Sequence, residues 1–274
     1  MKGVIMNQAK GRWRRFIVPL GAALVAGWTI VGLAQMPHWP NDGYYADHQG
    51  TVTQVDVGGP ADAAGLQVGD EILNIEGVPV ARLPAPPRRT YPMIGESQSL
   101  EIQRDEATAT IDLVLGPYPR SHRLARILGS IVAFCFLGAA VWVSLTVATL
   151  PGLLFSAFGL FQAFALVEGP FVGALEGFAG LLEVTAGVAS LSLLVHLFLF
   201  LPSPRKILNW PHFGKAVYGP LPVFLILGVA EVILDPRFYE AFSVATLGWV
   251  LAYLILLLWI FGHGWVTAQP GERW

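Results

Sequence analysis

The residues best placed to do chemistry are four glutamates, Glu168, Glu176, Glu183 and Glu231, set among long apolar runs in the second half of the chain. A carboxylate surrounded by hydrocarbon is costly, so each marks a site where a cation, a proton or a polar ligand would be held. Glu176 and Glu183 are seven positions apart, which on a helix puts them on nearly one face, about 10 Å from each other. Glu168 and Glu176 can equally be interfacial residues at the end of an apolar run. Glu183 has Leu181, Leu182 and Val184 around it and is the strongest of the set. His196 lies further along the same run and points away from the glutamate face by helical phase. Two roles stay open for it, a hydrogen-bonded packing residue or a ligand and proton carrier. Glu176, Glu183, Glu231 and His196 are therefore the expected lining of a polar ligand cavity, with Asp235 and Glu240 close by in sequence.

Hydrolytic chemistry is not encoded in a familiar form. A zinc-dependent membrane protease needs H-E-x-x-H to hold its metal and general base, and none of the 6 histidines has that spacing. A serine protease of the membrane needs G-x-S-G ahead of a later histidine, which is also absent. The 1 cysteine, Cys135, sits inside an apolar run and supplies neither a disulfide framework nor a thiolate metal site. No catalytic residue, metal or cofactor is expected, and the chain reads as a non-enzyme.

The elements that must position these residues are membrane helices. At 54% hydrophobic and 13% charged residues, the chain carries about half the charge of an ordinary soluble protein. The lipid bilayer is its first expected partner. A net charge of −2 with no basic face argues against nucleic acid. Apolar segments at 16–35, 124–147, 150–167, 178–201, 217–234 and 242–268 are each near or above spanning length, which gives an α-helical polytopic protein of about six transmembrane helices. Pro151-Gly152 breaks the otherwise continuous tract between the second and third. Counting five instead of six would reverse the far terminus. Glycines and alanines such as Gly129, Gly138, Ala139, Gly177, Gly180 and Gly187 favour close helix packing.

Orientation follows from Lys and Arg near the helix ends. Lys2, Lys10, Arg12, Arg14 and Arg15 precede the first span, and Arg205, Lys206 and Lys215 lie between the fourth and fifth. With six spans both groups face the cytoplasm, as does Arg273. Arg120, Arg123 and Arg126 oppose this, but they close a long translocated segment, where the rule is weak. The expected order is a basic cytoplasmic tail (1–15), a first span (16–35), an extracytoplasmic domain (40–119), a five-helix bundle (124–268) and a cytoplasmic tail (269–274).

Between the first two spans lies the one stretch with a specific soluble signature, GGPADAAGLQVGDEILNIEGVPV at 58–80. Pro60 suits the first turn of a short helix, because its missing amide proton would be unpaired there. Gly65 ends that helix by turning left-handed, which swings Leu66 onto the core. Ile72, Leu73 and Ile75 form a buried strand, and Glu76-Gly77 turns into Val78 and Val80. Residues 51–57 supply a strand before the motif, with Val55 and Val57 on one face. Leu100/Ile102 and Ala109/Ile111/Leu113/Leu115 supply two after it.

The run P-A-x-x-A-G-L-x-x-G-D-x-I-x-x-I-x-G, residues 60–77, resembles the PDZ domains of bacterial envelope proteins, over roughly residues 43 to 116. The resemblance implies a small β-rich PDZ domain inserted between membrane helices. It also implies recognition of a peptide or protein C-terminus by strand addition. It places the carboxylate loop at Gly43-Tyr44-Tyr45, ahead of a strand carrying Thr51 and Thr53; these five residues are the expected peptide-binding set. Where the groove helix should lie, residues 83–92 contain four prolines, which forbid a regular amphipathic helix. A PDZ fold that grips a C-terminus and one kept as a rigid spacer or dimer surface are both open.

The form H-x-F-x-x-x-P-x-P-R, from His196 to Arg205, resembles the membrane-sensor halves of bacterial histidine kinases of the quorum-sensing receptor kind. That implies a sensor module in the inner membrane, the input half of a kinase-type signalling system, with a cytoplasmic kinase or other effector and a second copy of the chain as partners. The alternative is an envelope scaffold or protease adaptor that tethers partner C-termini.

Overall fold

A computed structural model describes residues 2–47, 49–80, 93–167, 169–170, 176–201, 205–233 and 238–267. The chain divides into two compact units, one of Val31–Ile127 with Pro170–Glu176, the other of Met1–Ile30, Leu128–Gly169 and Gly177–Trp274.

α1 (Lys2–Gln35) tightens into a 3₁₀ turn at Met36–His38. The first unit then runs through β1 (Pro40–Asn41), β2 (Tyr44–Ala46), β3 (Val52–Val55), α2 (Pro60–Ala63), β4 (Glu71–Ile75), β5 (Val78–Pro79), β6 (Ser97–Arg104), β7 (Ala107–Val114) and β8 (Gly116–Pro117). An antiparallel sheet has the order β5-β4-β6-β7, β2 pairs with β3, and β1 pairs with β8. Period-2 alternation drives one face of β6 inward: Leu100 and Ile102 are buried and stand opposite Ile111 and Ala109. They join Val52, Ala61, Leu66, Ile72, Leu113 and Leu115 in one core.

The motif folds as its residues dictate. Pro60 opens α2, Gly65 adopts φ +85°, and the amide of Leu66 donates to the carbonyl of Ala61 at 2.9 Å while its side chain is buried. Buried Asp70 then fixes the following turn. It accepts from the Gln67 amide at 2.8 Å and from Nε and Nη2 of Arg104, each at 2.6 Å; the same Nη2 donates to the carbonyl of Gly65. That guanidinium holds the Asp70 carboxyl below the usual carboxylate range. Two-residue turns with positive φ at both positions close the hairpins: Glu76-Gly77 (51° and 74°) and Asp105-Glu106 (47° and 67°).

Two expectations are corrected. β3 stops at Val55, because Asp56–Gly59 closes a turn through Gly59 N–H to the Asp56 carbonyl, so Val57 stands at the tip, 98% exposed. Ala109, near the start of β7 and opposite buried Ile102, is exposed instead of joining the core. The proline-rich segment 83–92 lies outside the described residues.

The second unit is helical: α3 (Arg120–Thr146), α4 (Leu150–Leu166), α5 (Glu176–Phe198), α6 (Phe213–Tyr218), α7 (Pro220–Ile233) and α8 (Phe238–Thr267). Among the described residues 5 helices are long and apolar enough to cross a membrane: Phe16–His38, Arg120–Thr146, Phe178–Phe198, Phe213–Ala230 and Val244–Gly262. α4 is apolar but has 17 residues, at the lower limit of spanning length. Leu20, Leu24, Trp142, Ile226, Val244 and Leu258 are each more than half exposed, a surface that suits lipid and not water. The tract between α3 and α4 breaks at Val147–Thr149. The Thr149 side chain caps α4 by accepting from Gly152, and Pro151 lies in its first turn.

Small residues set the packing of α3 against α4. A Cβ on Gly159 would come within 2.9 Å of Ala140 Cβ, and Ala140 and Ala163 are fully buried. Gly129 and Gly187 also sit close to neighbours, at 3.3 Å from the Leu166 carbonyl and 3.5 Å from Ala165 Cβ, whereas Gly138 and Gly180 face open space.

Candidate functional site

β2 lies at the edge of the small sheet that precedes the motif at 58–80. One edge pairs antiparallel with β3, Tyr44 opposite Val55 and Tyr45 opposite Gln54, in a sheet of 2 strands. β2 is therefore an edge strand among the described residues, and strand addition uses that geometry. Tyr44 packs against the core while Tyr45 is 48% exposed. Thr53 Oγ1 donates to the Tyr45 carbonyl at 3.2 Å, tying the hairpin on its inner side. The Asp47 carboxylate accepts from the amides of Gln49 and Thr51, each at 2.9 Å, so the turn between the strands is closed by its own hydrogen bonds.

The entry to β2 is locked. Gly43 has φ +78°, and its carbonyl accepts from the Asp56 amide at 2.8 Å. A Cβ there would lie 2.9 Å from Pro60 Cδ, and one on Gly116 would lie 2.8 Å from Pro60 Cγ. The ring of Pro60 is thus wedged between two glycines. Burial raises the Asp42 carboxyl, opposed by the amides of Tyr44 and Gly43 and assisted by the field of Asp56. The phenol of Tyr45 is also raised, by burial first and then by Asp56.

Of the five residues expected to bind peptide, Tyr44 and Tyr45 are strand residues, so the turn that feeds the edge is Asp42-Gly43. Thr51 closes the hairpin turn and bridges to Glu71, and Thr53 braces β2. Asp42 and Pro60 were not assigned to the site from sequence. The Asn41-Asp42-Gly43 turn signal was legible, but the approach of Pro60 to Gly43 was not.

Of the membrane candidates, Glu183 and His196 have described side chains, and Glu168 lies outside the described residues. Glu183 Oε1 accepts from Trp28 Nε1 at 3.2 Å and from the Gly169 amide at 2.9 Å, tying α5 to α1. His196 Nδ1 lies 2.8 Å from the Tyr218 hydroxyl, with the rings of Phe200, Phe213 and Tyr218 packed around it. It stands 13 residues along α5 from Glu183, about 20 Å along the axis. Glu176 is the first residue of α5 and Glu231 lies in the last turn of α7; their side chains lie outside the described residues.

Residues 51–85 match the PDZ domain family model. The matched segment takes in β3, α2, β4 and β5. Such a domain points to protein or peptide interaction. No curated protein matches the chain.

Proposed function

We propose that the chain is a membrane-anchored recognition module whose PDZ domain takes an extended segment of a partner protein as an added strand on β2. The observation that carries this is an edge strand fed by a turn locked through Gly43 and Pro60, in a domain matched to the PDZ family. Recognition is its proposed role, with no catalytic step. Selection of displayed peptides on the full chain in nanodiscs tests it. Enrichment of a C-terminal consensus is the expected result, and enrichment of nothing beyond the unselected library would refute it.

Two uses share this site. In the first, the module tethers partner C-termini as an envelope scaffold or protease adaptor. In the second it is the input half of a kinase-type sensor, with ligand-driven helix movement passing through α8 to a cytoplasmic effector. The bonds that Glu183 receives from Trp28 and Gly169, and the ring cage around His196, support tethering, because these two groups already hold internal partners. A reporter fused after α8 separates the uses: output that follows peptide addition marks a sensor, and constant output with peptide bound marks a tether. The proposed setting is the inner membrane, with six spans, the PDZ domain outside and both ends in the cytoplasm. Its support is the basic tail at 1–15 with Arg205, Lys206 and Lys215.

A further inference from the structure

Among the described residues of the first unit, three hydrogen-bond donors are buried without a partner: Trp39 Nε1, Asn41 Nδ2 and Arg123 Nε. Orphaned buried donors are rare and costly, so three in one unit call for an acceptor. Trp39 and Asn41 are linked by a run of contacts, and Arg123 directly follows His122, a member of that run. The Arg126 guanidinium lies flat over the Trp39 ring at 4.2 Å and over Tyr118 at 5.4 Å. Tyr118 packs edge-on to Trp39 and tilted against His122, with centroids 6.3 and 6.1 Å apart. His122 and Asn41, with Ser121, Pro117 and Gly59, line a cavity of about 560 Å³. Its wall also carries Asp56, whose carboxylate accepts from Gln54 Nε2 at 3.4 Å.

We infer that this junction binds the phosphate of an anionic phospholipid headgroup. Phosphate offers several strong acceptors to N–H groups left unpaired in one neighbourhood, and guanidinium is its preferred cationic partner. The position selects the lipid as its source. Trp39 directly follows the apolar helix Phe16–His38, and Tyr118 stands two residues before Arg120–Thr146, so both mark the level where consecutive spans leave the bilayer. Trp and Tyr settle at that level, and arginines there meet headgroups. The site also gives a role to Arg123 and Arg126, whose charge works against the orientation set by the other basic clusters. This inference does not depend on peptide binding by β2.

The test is native mass spectrometry of the full chain released from nanodiscs holding equal phosphatidylglycerol and phosphatidylcholine. The native protein retains phosphatidylglycerol preferentially, and Arg123→Gln and Asn41→Leu each weaken the preference by roughly tenfold. Arg123→Lys keeps the charge but not the Nε donor and gives an intermediate loss. Unchanged amide-exchange protection of β6 and β7 identifies folded variants. Equal retention of both lipids overturns the inference, as does a preference that survives all three substitutions. Inorganic phosphate bound in lipid-free micelles with the same dependence on Arg123, and no lipid preference, overturns the lipid assignment.

Discussion

Replacing Gly43 with alanine separates two costs that the geometry keeps distinct. Holding an alanine at φ +78° costs about 1–2 kcal/mol, since the left-handed region crowds Cβ against the following carbonyl. Its Cβ would also lie 2.9 Å from Pro60 Cδ and 3.1 Å from Pro60 N, atoms of a ring and a backbone that cannot swing aside. Overpacking of this kind costs about 1–3 kcal/mol, for a total of about 2–5 kcal/mol. Gly58→Ala is the control: φ is +72° and a Cβ there meets nothing within 4 Å, so only the conformational cost of about 1–2 kcal/mol applies. Amide exchange of β6 and β7 in the full chain reads the opening free energy of both variants. The domain should melt about 4–8 °C lower for each kcal/mol lost. Pro60→Ala in the Gly43→Ala background should recover part of the loss. Gly43→Ala and Gly58→Ala agreeing within about 0.5 kcal/mol would refute the wedge.

The Asp70 carboxyl is depressed by Arg104, so its contribution is full above the ordinary carboxylate value of 3.8 and is lost as pH falls through the lower folded value. Asp70→Asn should lower stability at neutral pH and flatten the acid limb of the unfolding curve, as followed by denaturant titration. Asp42 runs the other way. Its folded value is raised, so stability is highest below 3.8 and declines as pH rises through the folded value. Asp42→Asn should remove that decline and raise the neutral-pH midpoint. Glu106 holds φ +67° without being glycine, and Glu106→Gly should stabilise the β6–β7 hairpin by about 0.5–1 kcal/mol in thermal melts, the strain relieved less the added chain entropy.

Local chemistry was readable where it is self-contained. Pro60, Gly65 and Leu66 act through bonds within six residues, and the strands of Leu100/Ile102 and Ile111/Leu113 show a period that only a half-buried sheet produces. Contacts closed across long sequence separations were not readable. Nothing near Glu183 in the chain announces Trp28, 155 residues away, so its tie between two helices is visible only in the fold. Val57 continued the alternation of β3 on paper, but the Asp56–Gly59 turn removed it from the sheet. Trp39, Tyr118 and Arg126 lie far apart in the chain, and their convergence depends on β1 pairing with β8, which brings Pro40 opposite Pro117.

The most direct measurement is amide exchange of the full chain in nanodiscs with and without a selected C-terminal peptide. Strand addition on β2 should slow exchange at Ala46, whose amide faces away from β3, with no comparable change at Tyr45 or in β6 and β7. The same peptide should lose its effect in Ala46→Pro, which removes the outward-facing backbone donor from the strand. Tight peptide binding with β2 exchange unchanged, or protection confined to the helices of the second unit, would contradict the account.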